Sequence, residues 1–243
     1  MRTGGMGFYF DPTYLLVLIG FVLCLIAQAK VKSAFKKYSQ IPSARGITGA
    51  QAAAIILQNA GLMNVRIQPV AGSLTDHYDP KSQTVNLSET VFGSRSIAAV
   101  SVAAHECGHA IQHAEGYGPL NFRSAMVPAA NIGSKLAWPI LIIGFILGGT
   151  VQYGPSSQIA NILIWVGIGM YSLAVLFQLV TLPVELNASK RALVRLQDYQ
   201  ILMPEEHKSA KSMLTAAAMT YVAGAAAGVL QLLRIILLVS RRD

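Results

Sequence analysis

Four apolar stretches constrain this chain more than any other feature. They lie at about residues 10–29, 125–150, 159–184 and 213–239 of 243. Each is long enough to span or enter a bilayer, which needs about 20 apolar residues per helix. Only 12% of residues are charged and 53% are hydrophobic, against roughly a quarter charged in a soluble domain. Disorder is excluded by that apolarity. A disulfide scaffold is excluded by the presence of only two cysteines, Cys24 and Cys107.

The four stretches differ in character. The first follows Asp11-Pro12, a helix-start signal. It is not a signal peptide: no basic region precedes it beyond Arg2, and it ends in lysines rather than a cleavage site. The second carries Pro128 and Pro139, which predict a kink or an interfacial start. The fourth is rich in Ala and Gly, as closely packed membrane helices are.

The net charge of +8 does not form a nucleic-acid stripe. Lys30, Lys32, Lys36 and Lys37 follow the first stretch, and Lys190, Arg191 and Arg195 follow the third. Bases flanking apolar spans mark the cytoplasmic side of a membrane. The expected location is therefore a cell membrane, multi-pass, of the bacterial plasma membrane type, with no nucleic-acid partner. Arg2, Arg241 and Arg242 fit this poorly, because four full crossings put both termini outside. Whether the fourth stretch crosses completely stays open.

Three regions follow: residues 1–29 with the first span, a polar segment at 30–124, and membrane helices at 125–243. In the polar segment Thr48 and Gln51 fit a capping box, opening a helix that ends at Gly61. Residues 65–70 form a short β-like run. Residues 74–78 and 83–87 read as two strands joined by the turn Asp79-Pro80-Lys81-Ser82. A longer helix starts near Ser94 or Ser96 and stops before Gly116. The expected fold is a mainly α integral membrane protein with about four transmembrane helices and a small α+β, zincin-like domain.

That longer helix carries His105-Glu106-Cys107-Gly108-His109. Residues four apart share one helical face, so His105 and His109 can meet one Zn²⁺. Glu106 sits one position round and can act as general base beside the metal without ligating it. Cys107 points away from the histidine face and reads as a small buried residue. His113 continues the row but lies too far along the axis to share the ion.

A catalytic zinc needs a third protein donor. A histidine six residues beyond His109 is absent: Gln112 and Glu115 occupy the positions of that pattern's Gly and His. Glu89 lies in a turn region, Glu115 at the helix end, and Glu205 and Glu206 read as solvated. Glu185 lies at the polar end of the third span, just after Pro183. An ionisable residue there is a functional candidate. The competing reading pairs it with Lys190 or Arg191.

HECGH in the polar segment, the span ending VELNASKRA and the later AAAMTYVAGA resemble the YugP-type neutral zinc membrane peptidases over nearly the whole chain. The resemblance implies a membrane-embedded, gluzincin-like metallopeptidase, with His105, His109 and Glu185 holding one Zn²⁺ and Glu106 as acid/base. The chain is more distantly similar to the HtpX-type and CAAX prenyl proteases. Their Glu-x-x-Ala-Asp box here reads Glu185-Leu186-Asn187-Ala188-Ser189. Ser189 replaces the aspartate that would brace a ligand histidine, so Asn187 or Ser189 would brace through a neutral hydrogen bond.

Peptidases commonly hold substrate as an added strand. Thr84, Val85 and Asn86, in the run before the active-site helix, are the candidate edge strand. Tyr221 is the candidate oxyanion donor, with Arg195 and His207 as alternatives. Asp76-His77 reads as a solvated loop in preference to a second metal site. The expected function is a zinc endopeptidase acting on membrane or membrane-proximal polypeptides. Its partners are a polypeptide substrate and the lipid bilayer, with a homo-oligomer or a membrane protein partner left open. The alternative is a catalytically silent membrane metal-binding scaffold or sensor.

Overall fold

The computed structural model describes residues 11–150 and 155–240. Arg2, Arg241 and Arg242 lie outside the described residues. The order is α1 (Tyr14–Ser39), α2 (Gly49–Asn59), β1 (Arg66–Val70), β2 (His77–Asp79), β3 (Thr84–Ser88), α3 (Glu89–Phe92), α4 (Ile97–Ala114), α5 (Gly118–Thr150), α6 (Pro155–Asp198) and α7 (Pro204–Ser240).

Among the described residues, α1, α5, α6 and α7 are long and apolar enough to cross a membrane. Their outer faces are what require a bilayer. Only 11% of the most apolar window of α1 is buried, leaving Leu18, Ile19, Phe21 and Ile26 about half exposed. A surface of that kind is costly in water and ordinary in lipid. Each helix also runs beyond its apolar stretch. The Lys30–Lys37 region continues α1, and the prolines at 128, 139 and 183 lie inside continuous helices.

The sequence caps predict the helix starts in the polar segment. The Thr48 hydroxyl accepts from Gln51 N at 3.2 Å, and Gln51 Oε1 accepts from Thr48 N at 2.8 Å. Ser96 Oγ accepts from Ala99 N at 3.2 Å, opening α4. Both helices bury one face in a common core. Ala52, Ala53 and Ile56 of α2 meet Val100, Ala103, Ala104 and Cys107 of α4, with Leu87 of β3 and Leu196 of α6.

The sheet order is β1-β3-β2. β1 runs parallel to β3, and β2 antiparallel to it. This corrects the edge-strand expectation. Thr84, Val85 and Asn86 are hydrogen-bonded on both sides and buried, so no peptide can add to them. The free edges are β1 and β2, and β2 is the one that packs against α4.

Leu87 is fully buried in this core. Leu87→Ala should destabilise the polar domain by about 2–5 kcal/mol and visibly lower the Tm of the purified protein. Met63→Ala, at a position 73% exposed, should leave it unchanged.

Candidate metal centre

His105 and His109 stand one turn apart on α4, their ring centroids 4.8 Å apart and nearly perpendicular. Facing them is Glu185 of α6, whose Oε2 lies 3.3 Å from His105 Nε2 and 3.5 Å from His109 Nε2. These are the only three His, Cys, Asp or Glu side chains among the described residues that cluster as metal donors. Glu185 is 3% exposed, and its Oε2 is buried without a hydrogen-bond donor.

The two distances from Glu185 are those a tetrahedral ion requires. Ligand distances of about 2.0–2.1 Å place neighbouring donors about 3.3 Å apart. The field of the site agrees. Burial disfavours the charged form of His109, yet the neighbouring Glu185 and Glu106 carboxylates outweigh it and raise the pKa. A pocket that favours a proton among these groups also favours a divalent cation.

Hydrogen bonds fix which imidazole nitrogen faces the centre. Ser189 Oγ lies 3.1 Å from His105 Nδ1, and Gln112 Oε1 lies 3.0 Å from His109 Nδ1. Gln112 cannot present its amide nitrogen to His109, because that nitrogen donates to Val184 O at 2.8 Å and Asn187 Oδ1 at 2.9 Å. His109 Nδ1 must therefore carry the proton, leaving Nε2 free to bind metal. Asn187 Oδ1 also accepts from Arg191 Nε at 2.7 Å, and Arg191 Nη1 pairs with Glu115 at 2.7 Å. Arg191 thus serves the bracing chain and does not neutralise Glu185.

Glycine lets the two helices meet. A Cβ on Gly108 would lie 2.5 Å from the carbonyl oxygen of Ala188. Only glycine permits that backbone approach of α4 to α6, and Ala188 is three residues from Glu185.

Glu106 is 7% exposed and faces the same space as the donors. A cleft of about 460 Å³ joins His105, Glu106, His109 and Glu185 to β2 and to Arg123 and Tyr221. Tyr221 therefore reaches the site, whereas Arg195 and His207 do not. Arg195 stacks on Tyr199, and His207 lines separate cavities at the α6–α7 turn. Cys107 points the other way, its buried Sγ 3.7 Å from Ala53 O, and burial pushes its thiol pKa up. Asp76 accepts from the backbone and hydroxyl of Ser88, while His77 bonds Thr75 O and Asn86. Neither belongs to a donor cluster. His113 Nδ1 meets Tyr78 Oη at 2.8 Å. Glu206 is not merely solvated, since its carboxylate accepts from Ala44 N and Met203 N.

The sequence reading missed Gln112 and Arg123. Gln112 sits three residues after His109, the spacing of one helical turn, and is fully buried. Arg123 occupies the first turns of α5 and lines the cleft beside its Phe177 contact.

Gly108→Ala should force α4 and α6 apart, lowering zinc affinity at least about tenfold and costing about 1–3 kcal/mol of stability. Titration against a zinc chelator and thermal melting measure both. Gln112→Leu should weaken zinc about 10–100-fold, as loss of a ligand brace does, in the same titration.

The chain matches over residues 13–240 the family described as "Putative neutral zinc metallopeptidase". It is 45% identical over 212 residues to the "Putative membrane protease YugP" of Bacillus subtilis (strain 168), covering 87% of this chain and 89% of that one. No solved structure matches it. A match spanning the described spans and the donor cluster alike means that the chain belongs to this family of neutral zinc metallopeptidases.

Proposed function

We propose that the protein is a membrane-embedded zinc endopeptidase that cleaves membrane or membrane-proximal polypeptides, with its site at the cytoplasmic face. The observation that carries this reading is a buried carboxylate, Glu106, beside three donors spaced for one zinc ion in a cleft that solvent can enter. The basic residues after α1's and α6's apolar stretches support the cytoplasmic placement. The division into a first span, a polar catalytic segment and three further membrane helices follows the same reading.

His105, His109 and Glu185 would hold the ion. Bound there, zinc would supply Lewis acidity to a scissile carbonyl and would lower the pKa of water towards ~7. Glu106 takes the proton of the attacking water and delivers it to the leaving amine. Tyr221 donates a hydrogen bond to the oxygen on which charge develops, and Arg123 adds positive charge to the same cleft. The substrate backbone adds to β2, the free sheet edge beside α4, where Asp76, His77 and Tyr78 line the cleft.

Glu106→Gln should keep a full zinc complement and lose casein or peptide cleavage about 10²–10⁴-fold. Normal cleavage by this variant would sink the mechanism. Absence of cleavage by zinc-loaded wild type would favour a silent metal-binding scaffold. Glu185→Ala should lose zinc, and a full complement in that variant would mean that another residue is the third donor.

A further inference from the structure

Two spaces of different chemistry meet at the donors and share Asp76, His105, Glu106, Glu185 and Tyr221 in their walls. One is the polar cleft already described. The other is a smaller cavity of about 150 Å³. Its remaining wall is mostly apolar: Val31 of α1, Val102 of α4, and Met213, Leu214, Ala217 and Ala218 of α7.

The helix packing explains why this cavity exists. α1 and α7 touch backbone to backbone lower down, where a Cβ on Gly20 would lie 2.9 Å from Ala227 Cα. Towards the site α4 packs against both. Ala98 and Val102 of α4 pack with Tyr38 and Val31 of α1 and with Met213 of α7. Val31, Val102 and Met213, one from each of the three helices, border the space. Alanines at 217 and 218 do not fill it. Leu74, the residue of the preceding loop held at φ 59°, lines the same space.

We infer that this cavity is the side-chain pocket that sets cleavage specificity, taking one large aliphatic side chain of a residue flanking the scissile bond. The inference rests on the endopeptidase reading and adds a substrate preference to it. A peptide whose carbonyl reaches the zinc donors must send a neighbouring side chain towards one of the two spaces. The cleft beside Lys81, Asn121 and Arg123 suits backbone and polar groups. The small cavity has no charged side chain facing an occupant except the site's own carboxylates and Asp76, which is engaged by Ser88. Leucine, isoleucine or methionine would fill it and displace water from apolar walls. A charged side chain would lose its hydration there without a partner. Ala217 lines the pocket, so enlarging it tests the pocket's size directly.

The experiment digests a randomised peptide mixture with the zinc-loaded, full-length protein in detergent and identifies the cleaved bonds by mass spectrometry. One flanking position should favour Leu, Ile or Met over Gly and Asp at least about tenfold, the discrimination an apolar pocket supplies. Ala217→Phe should keep zinc and reduce cleavage of leucine-containing peptides at least tenfold more than cleavage of the matching alanine peptide. Ala217→Val should shift the preference part of the way, and decides the matter if the phenylalanine variant does not fold. Cleavage without an aliphatic preference at either position, or a preference unmoved in the folded variants, overturns the pocket alone. Failure of the zinc-loaded wild type to cleave any peptide overturns the peptidase reading, and the pocket with it.

Discussion

The metal centre depends on one close approach, the contact of Gly108 with the backbone of Ala188. His105 and His109 are set by the helical repeat and need no tertiary structure to face the same way. Glu185 is different, because it arrives from another helix far along the chain. Its position relative to the imidazoles is fixed by how near α4 can come to α6. A Cβ at residue 108 would close a 2.5 Å gap to a carbonyl oxygen, so the axis separation is set by the absence of that one atom. Burying Glu106 and Glu185 within a largely alanine-lined interface is expensive when the charges stand alone. A cation among the donors would offset that cost, so metal binding would reinforce the α4–α6 interface.

The donors are held by neutral braces. Ser189 reaches His105 directly, and Asn187 reaches His109 through Gln112. The charge enters only two bonds further out, at Arg191 and Glu115. A carboxylate brace would make an imidazole more basic and more strongly electron-donating. Neutral partners orient both rings, and Gln112 fixes the tautomer of His109, without adding negative charge beside the candidate donors. The box Glu185-Leu186-Asn187-Ala188-Ser189 thus supplies a candidate ligand, two braces and the backbone against which Gly108 packs, all on adjoining turns of one helix.

Local signals were legible in the sequence and long-range partners were not. The cap at Ser96, the capping box at Thr48 and the spacing of His105 and His109 act within a turn or two, so pattern alone reveals them. Glu185 could be found because acids are scarce in so apolar a chain. The strand order could not. The run Thr84-Val85-Asn86-Leu87-Ser88 reads as one arm of a hairpin, and nothing local records that β1 returns parallel along its other side. That pairing covers its second edge, and all five of its residues are buried. Gln112 was passed over because it broke a known ligand pattern. Its role as a brace shows only when Val184 and Asn187 are seen to occupy its amide nitrogen.

The long helices give the site its setting. At 1.5 Å per residue the 44 residues of α6 extend about 66 Å, roughly twice the ~30 Å hydrocarbon core of a bilayer. The helix must project well beyond the lipid. Glu185 lies just where its apolar stretch gives way to Lys190, Arg191 and Arg195. α7 makes the same passage in the opposite direction, carrying Tyr221 near the same level. The donors therefore stand on rigid continuations of membrane spans, not on a domain tethered by a linker. Their height above the lipid is fixed by the hydrophobic match of those spans. On the proposed endopeptidase reading, a polypeptide segment close to the membrane surface would meet such a site at high effective concentration, while one held far from the surface would not.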